Sequence, residues 1–411
     1  MFNSLFSSKD RLRNLLLVLA FVYFIVQSVS LISEKSFLGD TYITSGTYVL
    51  TKDNIEYVYQ VPDSVGSNPD HIEGVLFLAH GCSHSATDFW PQSPKCSKCI
   101  GLPIERTIVV QALSRSYVVV AMSSTDRDTK CWHAQEDAVK AKRVLLELRA
   151  KVRIPNYVPN FLHGVSSGGQ FVGSLAMYLN QEHTMGSGNN EALEVKAICI
   201  QIHVFPQKYW NTLAGLDNLP QNNNYLNNNN DVDNKRRDAF PKGIMYVHME
   251  RDPRLTAMIE RSMAVLTKTA PQLTIINKLV EAEPLTEDYF FKHGRHLTYQ
   301  ESSLLVNAFK SSALLDDQGY LVGNPRSSAV PWRQVVLKAL PSIKRKDSLI
   351  NDGSGISELL NAAYAQHEIT DAYLSDTLNF FDSYGVQGRK GQKVAESDLD
   401  YKLIAKEKQE D

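Results

Sequence analysis

Residues 161–169 read FLHGVSSGG, so Ser166 stands two residues after Gly164 and two before Gly168. A serine hydroxyl is a weak nucleophile until a neighbouring base takes its proton. The Gly-X-Ser-X-Gly spacing sets a serine on a turn between a strand and a helix. The turn is so sharp that side chains two before and two after the serine would clash. Gly164 and Gly168 remove them, which makes Ser166 the candidate nucleophile. The N–H of Ser167 would open the following helix, where unpaired donors and the helix dipole favour an oxyanion. Ser167 does not fit as the nucleophile, because its flanks break the pattern. The competing reading is a glycine-rich turn without chemistry, and the surrounding elements decide between the two.

Those elements alternate. Residues 74–81 (GVLFLAHG) and 116–124 (SYVVVAMSS) are apolar runs of strand length. Residues 135–152 carry Val139, Val144, Leu145, Leu148 and Val152 at helical spacing. The run 158–164 is a predicted strand and Ser167 opens a predicted helix reaching Leu179. Further strands are expected at 195–204, 243–249 and 272–282, with a helix starting at Pro253. Near-continuous apolar strands alternating with helices imply a parallel sheet covered on both faces. After residue 285 the pattern turns helical, and residues 285–360 are expected to form a helical insertion. Residues 218–234 (NLPQNNNYLNNNNDVDN) have too little apolar surface to fold and are expected to be a disordered loop inside a lid insertion at 205–241. Residues 386–411 form a polar tail.

A second oxyanion donor should follow an earlier strand. His80-Gly81 ends one, and the backbone N–H of Cys82 or Ser83 is placed to serve. The run HGCSHSATDF at 80–89 resembles the HGC-x-x-(S/T)-A-x-D-F signature of α/β-hydrolases of the polyhydroxyalkanoate depolymerase and feruloyl esterase type. The similarity continues at Lys130-Cys131-Trp132 and at 161–171, and spans roughly residues 55–280. Residues 89–103 (FWPQSPKCSKCIGLP) and the helical C-terminal part resemble an uncharacterised group of plant and algal α/β-hydrolase-like proteins. The resemblance implies an α/β-hydrolase fold over residues 45–385, a mostly parallel sheet with helices on both faces, and ester hydrolysis. Fold alone does not fix function.

In that fold the acid follows a late strand, where Glu250-Arg251-Asp252-Pro253 stands. Asp252 is the expected acid, on the chain order Ser, Asp, His. Its rival role is structural, since Asp before Pro is a common helix N-cap. Glu250 is the substitute. Two regions compete to supply the histidine. His293 and His296 follow the last strand closely, and Thr298 with Glu301 then reads as a capping box opening a helix. His367 comes later, before the amphipathic stretch 371–383. The resembling plant-type proteins end in a similar A-x-x-HE segment, which favours His367 over His296.

The chain has 411 residues, 43% of them hydrophobic, with 43 basic and 45 acidic side chains and a net charge of −2. Such a composition supports a sizeable core, and the absence of a basic stripe argues against nucleic acid as a partner. No metal and no organic cofactor is implied. Lys9, Arg11 and Arg13 precede an uncharged run from Leu15 to Ile32 within the apolar segment 14–33. Residues 1–13 would stay cytoplasmic and the rest would cross. The segment is either an uncleaved signal anchor or a signal peptide cut after Ser28-Val29-Ser30. Either way the domain would face a lumen or the outside, where disulfides persist. No Asn-X-Ser/Thr sequon supports secretion. Cys199 reads as a buried apolar residue. Cys82, Cys96, Cys99 and Cys131 are the disulfide candidates. Cys82 and Cys131 follow neighbouring strands within bonding reach, and the resembling esterases suggest the same pairing. Cys96 and Cys99 lack a second pair for zinc and read as a loop staple. The expected substrate is a small-molecule or polymer ester. The rivals are a non-catalytic binding protein on this scaffold and a thiol–disulfide enzyme using Cys96 and Cys99.

Overall fold

The computed structural model of the protein describes residues 45–66, 68–184, 193–209, 239–294 and 297–386. The apolar segment 14–33, the Asn-rich stretch 218–234, His296 and the tail from 387 onward lie outside the described residues. Among the described residues, no helix is long and apolar enough to cross a membrane.

Eight strands form one sheet in the order β1-β2-β4-β3-β5-β6-β7-β8. They are β1 (Thr47–Leu50), β2 (Glu56–Gln60), β3 (Gly74–Ala79), β4 (Tyr117–Met122), β5 (Asn160–Val165), β6 (Val195–Gln201), β7 (Gly243–Met249) and β8 (Thr274–Val280). Strand β2 runs antiparallel to β1 and β4, and every pairing from β4 to β8 is parallel. Strands β3, β4, β5 and β7 are buried along their whole length. This is why they read as near-continuous apolar runs, interrupted only by Asn160 and His163 in β5 and His248 in β7, rather than as alternations. The two edge strands, β1 and β8, are partly exposed.

The connecting helices are α1 (Pro103–Ser114), α2 (Ala134–Val152), α3 (Ser167–Thr184) and α4 (Pro253–Thr269). Beyond β8 come α5 (Tyr289–Gly294), α6 (Tyr299–Ser311), α7 (Trp332–Ala339) and α8 (Gly355–Tyr364), and then α9 (Leu374–Asp382). The capping box expected at Thr298 and Glu301 is present at the start of α6. Helix α9 returns to the sheet, where Phe381 stacks on Phe161 of β5 with centroids 4.9 Å apart. Strands β1 and β2 and helices α1 and α5 were not among the elements expected from the pattern. The first two are short, and α5 has only one and a half turns, too little for a period to register.

The sheet order brings β3 beside β5 with Ala79 level with Gly164. Chain leaves β3 towards β4 on one side and leaves β5 towards β6 on the other. A crevice opens where connections diverge in this way, at the carboxyl ends of the strands.

Candidate active site

Ser166 is the single residue between the end of β5 and the start of α3, with φ of 53°. A left-handed conformation is costly for a residue with a side chain, and such strain persists only where its surroundings enforce it. A Cβ on Gly164 would lie 2.1 Å from the Gly168 carbonyl oxygen, and one on Gly168 would lie 2.4 Å from the carbonyl oxygens of Ala79 and His80. Both glycines are therefore required by backbone contact. The Ser166 N–H donates to the Gln201 carbonyl at 3.0 Å, tying the turn to the end of β6.

The structure brings Ser166, His367 and Asp252 together. Ser166 Oγ lies 3.0 Å from His367 Nε2. His367 Nδ1 lies 3.1 Å from Asp252 Oδ2. With an ionised carboxylate accepting from Nδ1–H, the lone pair of Nε2 is left for the serine proton. Asp252 is also the N-cap of α4, its Oδ1 accepting from the Leu255 N–H at 3.2 Å. The two roles weighed for Asp252 do not exclude each other, because Oδ1 caps α4 while Oδ2 faces His367.

The other candidates lie elsewhere. Glu250 Oε1 accepts from the Ala282 N–H at 2.8 Å. His293 Nε2 lies 4.0 Å from Glu283, and its ring packs on Tyr289 with centroids 4.7 Å apart. The Ser83 N–H donates to the Thr129 carbonyl at 3.0 Å. That contact removes Ser83 from the oxyanion candidates and leaves the Cys82 and Ser167 amides. A Cβ on Gly81 would be 3.7 Å from the Ser166 Cβ, so the loop after β3 passes close to Ser166.

This loop is held on several sides. A disulfide joins Cys82 to Cys131, 49 residues apart, with Cα atoms separated by 4.3 Å. Trp132 Nε1 donates to the His80 carbonyl at 2.8 Å, and its ring stacks on Phe171 of α3 at 4.1 Å. The His80 ring is buried, which drives its pKa down to about 4 despite its bond to Gly81. Neutral His80 accepts from the Ser124 N–H through Nε2 at 3.1 Å and donates through Nδ1 to the Gly81 carbonyl at 2.6 Å. Cys96 and Cys99 form the second disulfide, and both are buried. An attacking thiolate has no access to that pair, which argues against the thiol–disulfide reading. Cys199 is free and buried, and burial pushes its thiol up to about 12.

Around Ser166 lies a cavity of about 580 Å³. Its wall includes His84, Glu105, Asn324, Arg326, Asp352 and Glu368, with few aliphatic side chains. Behind it the buried carboxyl groups of Glu105 and Glu358 touch each other. Burial pushes both upward, Glu358 well above the ordinary carboxylate value. Glu358 Oε2 also accepts from the Ile104 N–H at 3.1 Å. Burial alone would lower His84, but its hydrogen bond to Asp88 and the charge of Glu105 outweigh it and take the ring to about 9. No cluster of metal-ligating side chains occurs among the described residues.

The sequence reading missed Gln201, Asn324 and Arg326. Gln201 carries a weak signal, a lone amide at the end of the apolar run AICIQI. Arg326 and Asn324 carry none, since their loop has no period.

No family model matches the chain. No curated protein matches it either. Solved structures do. A ferulic acid esterase is 11% identical with a TM-score of 0.37, over 58% of this chain and 90% of the other. A sugar hydrolase from Lactococcus lactis is 14% identical with a TM-score of 0.35, over 73% and 99%. An esterase from Rhizomucor miehei is 14% identical with a TM-score of 0.33, over 58% and 74%. Likenesses of this strength do not bear on activity or substrate. The strand order, the β2 antiparallel pairing and the strand–Ser166–helix elbow carry the assignment themselves: this chain has the α/β-hydrolase fold.

Proposed function

We propose that the protein is a serine hydrolase of carboxylic esters. The observation that carries the reading is the unbroken hydrogen-bond path from Ser166 Oγ through His367 to Asp252. Ser166 Oγ attacks the ester carbonyl carbon while His367 Nε2 takes the hydroxyl proton. The carbonyl oxygen becomes an oxyanion and accepts from the Cys82 and Ser167 N–H groups. As the C–O bond to the alcohol breaks, His367 returns the proton to the leaving oxygen. Water then gives a proton to Nε2 and attacks the acyl-serine carbonyl. The carboxylic acid departs and the proton goes back to Ser166. Asp252 stays ionised throughout, holding the tautomer and stabilising the imidazolium.

The charged side chains on the cavity wall favour a short acyl group. A fatty chain would desolvate the part-exposed Arg326–Asp352 ion pair on that wall without compensation. The two disulfides favour an oxidising compartment, in keeping with a lumenal or extracellular domain behind the segment 14–33. The test is hydrolysis of p-nitrophenyl esters of rising chain length by wild type and by Ser166→Ala. The reading expects activity that falls from acetate to octanoate and is lost in the variant. A variant as active as wild type would reject the serine hydrolase. A rising chain-length profile would reject only the short-acyl preference.

A further inference from the structure

His367 sits in a backbone that needs restraint. Helix α8 ends at Ala365 with φ of 53°, and His367 itself has φ of 49°. Each left-handed residue costs about 1 kcal/mol or more relative to relaxed chain. A loop with two of them holds its shape only where partners enforce it.

One guanidinium supplies much of that restraint. Arg326 Nη1 donates to the Gln366 carbonyl at 3.1 Å. Arg326 Nη2 donates to Glu368 Oε2 at 2.6 Å. These are the residues on either side of His367. Neighbours reinforce the grip. Asn324 Nδ2 donates to Gln366 Oε1 at 2.8 Å, and Asn361 Nδ2 donates to Glu368 Oε2 at 3.0 Å. Glu368 Oε1 accepts from the Ile369 N–H at 2.9 Å. Arg326 is held in turn, because Trp332 Nε1, on a buried ring, donates to the Pro325 carbonyl at 2.9 Å.

A fork of fixed donors can engage a carbonyl and a carboxylate at once, whereas an ammonium is a point charge. Glu368 is 5% exposed and needs a cation, but a cation alone would not require contact with the Gln366 carbonyl as well. We infer that Arg326 is a positioning residue. It clamps the two neighbours of His367 and thereby sets the direction of Nε2 towards Ser166. The stretch between β8 and His367 then serves as the buttress of the base as well as a cavity wall. This inference rests on the reading of His367 as the base.

The test uses the full chain with Arg326→Met, Arg326→Lys and the double variant Arg326→Met/Glu368→Gln, beside Ser166→Ala in one assay. A misplacement of about 1 Å at the base costs on the order of 100-fold in rate. Arg326→Met is expected to lower kcat about 100-fold with KM changed less than about threefold. Arg326→Lys keeps the charge without the fork and should also lose more than tenfold. The double variant removes the unpaired buried charge, so its Tm should recover while kcat stays low. This split separates positioning from simple charge neutralisation, and it covers the case in which Arg326→Met alone fails to fold. A double variant or a lysine variant with kcat within twofold of wild type overturns the inference. An active Ser166→Ala in the same assay overturns instead the reading on which it rests.

Discussion

The side-chain amide of Gln201 pairs with both backbone polar groups of Thr370, accepting from its N–H at 3.0 Å and donating to its carbonyl at 2.8 Å. The Gln201 carbonyl meanwhile accepts from the Ser166 N–H. One residue at the end of β6 therefore fixes the Ser166 turn and the loop that follows His367. Gln201→Leu keeps the volume but leaves two buried backbone groups unpaired. At about 1–3 kcal/mol for each such group, the variant should lose roughly 2–6 kcal/mol of stability. Urea unfolding measures it, and a loss under about 1 kcal/mol would show that water or a shifted loop takes over the pairing.

Asp252→Asn separates the two duties of that residue. Asparagine caps a helix about as well as aspartate, so Tm should stay within a few degrees. Asparagine cannot hold the tautomer or balance the imidazolium, so kcat should fall about 10³–10⁴-fold. Equal losses in stability and rate would mean that Asp252 acts mainly as a cap.

The two disulfides should differ in consequence. Cys82–Cys131 ties together positions 49 residues apart and anchors the loop proposed to supply the Cys82 N–H, whereas Cys96 and Cys99 are only three residues apart. Cys131→Ser should therefore cost about 2–4 kcal/mol and lower kcat, because a displaced donor stabilises the oxyanion less well. The paired Cys96→Ser/Cys99→Ser change should leave kcat within about twofold. Stopped assays on the two variants decide, and equal activities would detach the first disulfide from the oxyanion loop.

Much of this site is legible in the residues, for a physical reason. A sharp elbow demands glycines at fixed offsets from Ser166, the turn after β7 offers Asp252 and Glu250 as acids, and both signals are local. His367 was preferred over His296 by position and by resemblance. The supports were not legible. The partner of Gln201 lies 169 residues away and that of Arg326 lies 40 away, and in both cases it includes a backbone carbonyl, which carries no residue signature. The strands from β3 to β7 were clear because they are buried and largely apolar. The edge strand β1 was not, being four residues long and partly exposed. Helix α1 carries start signals, Pro103 at its first turn and Glu105 two residues on, which the Cys-rich loop before it obscured.

The buried His84 makes stability depend on pH. Its folded value of about 9 lies above the ordinary 6.5, so the folded state binds the proton more tightly than the unfolded state. The stabilisation is complete below about pH 6.5 and is lost as pH rises through about 9. The full effect is on the order of 3 kcal/mol. Urea midpoints at pH 6, 7.5 and 9 should fall in that order for wild type. His84→Gln should flatten that part of the profile, and an equally steep profile in the variant would assign the dependence to other groups.

The central claim is that Ser166 is a nucleophile activated by His367, and covalent capture tests it most directly. Native protein is treated with a fluorophosphonate, and the adduct is located by peptide mass spectrometry. The account predicts one phosphonylated residue, Ser166 in the stretch FLHGVSSGG, with labelling slowed at least 100-fold in His367→Ala. Native, folded protein that stays unlabelled at Ser166, or that labels at the same rate without His367, would contradict it.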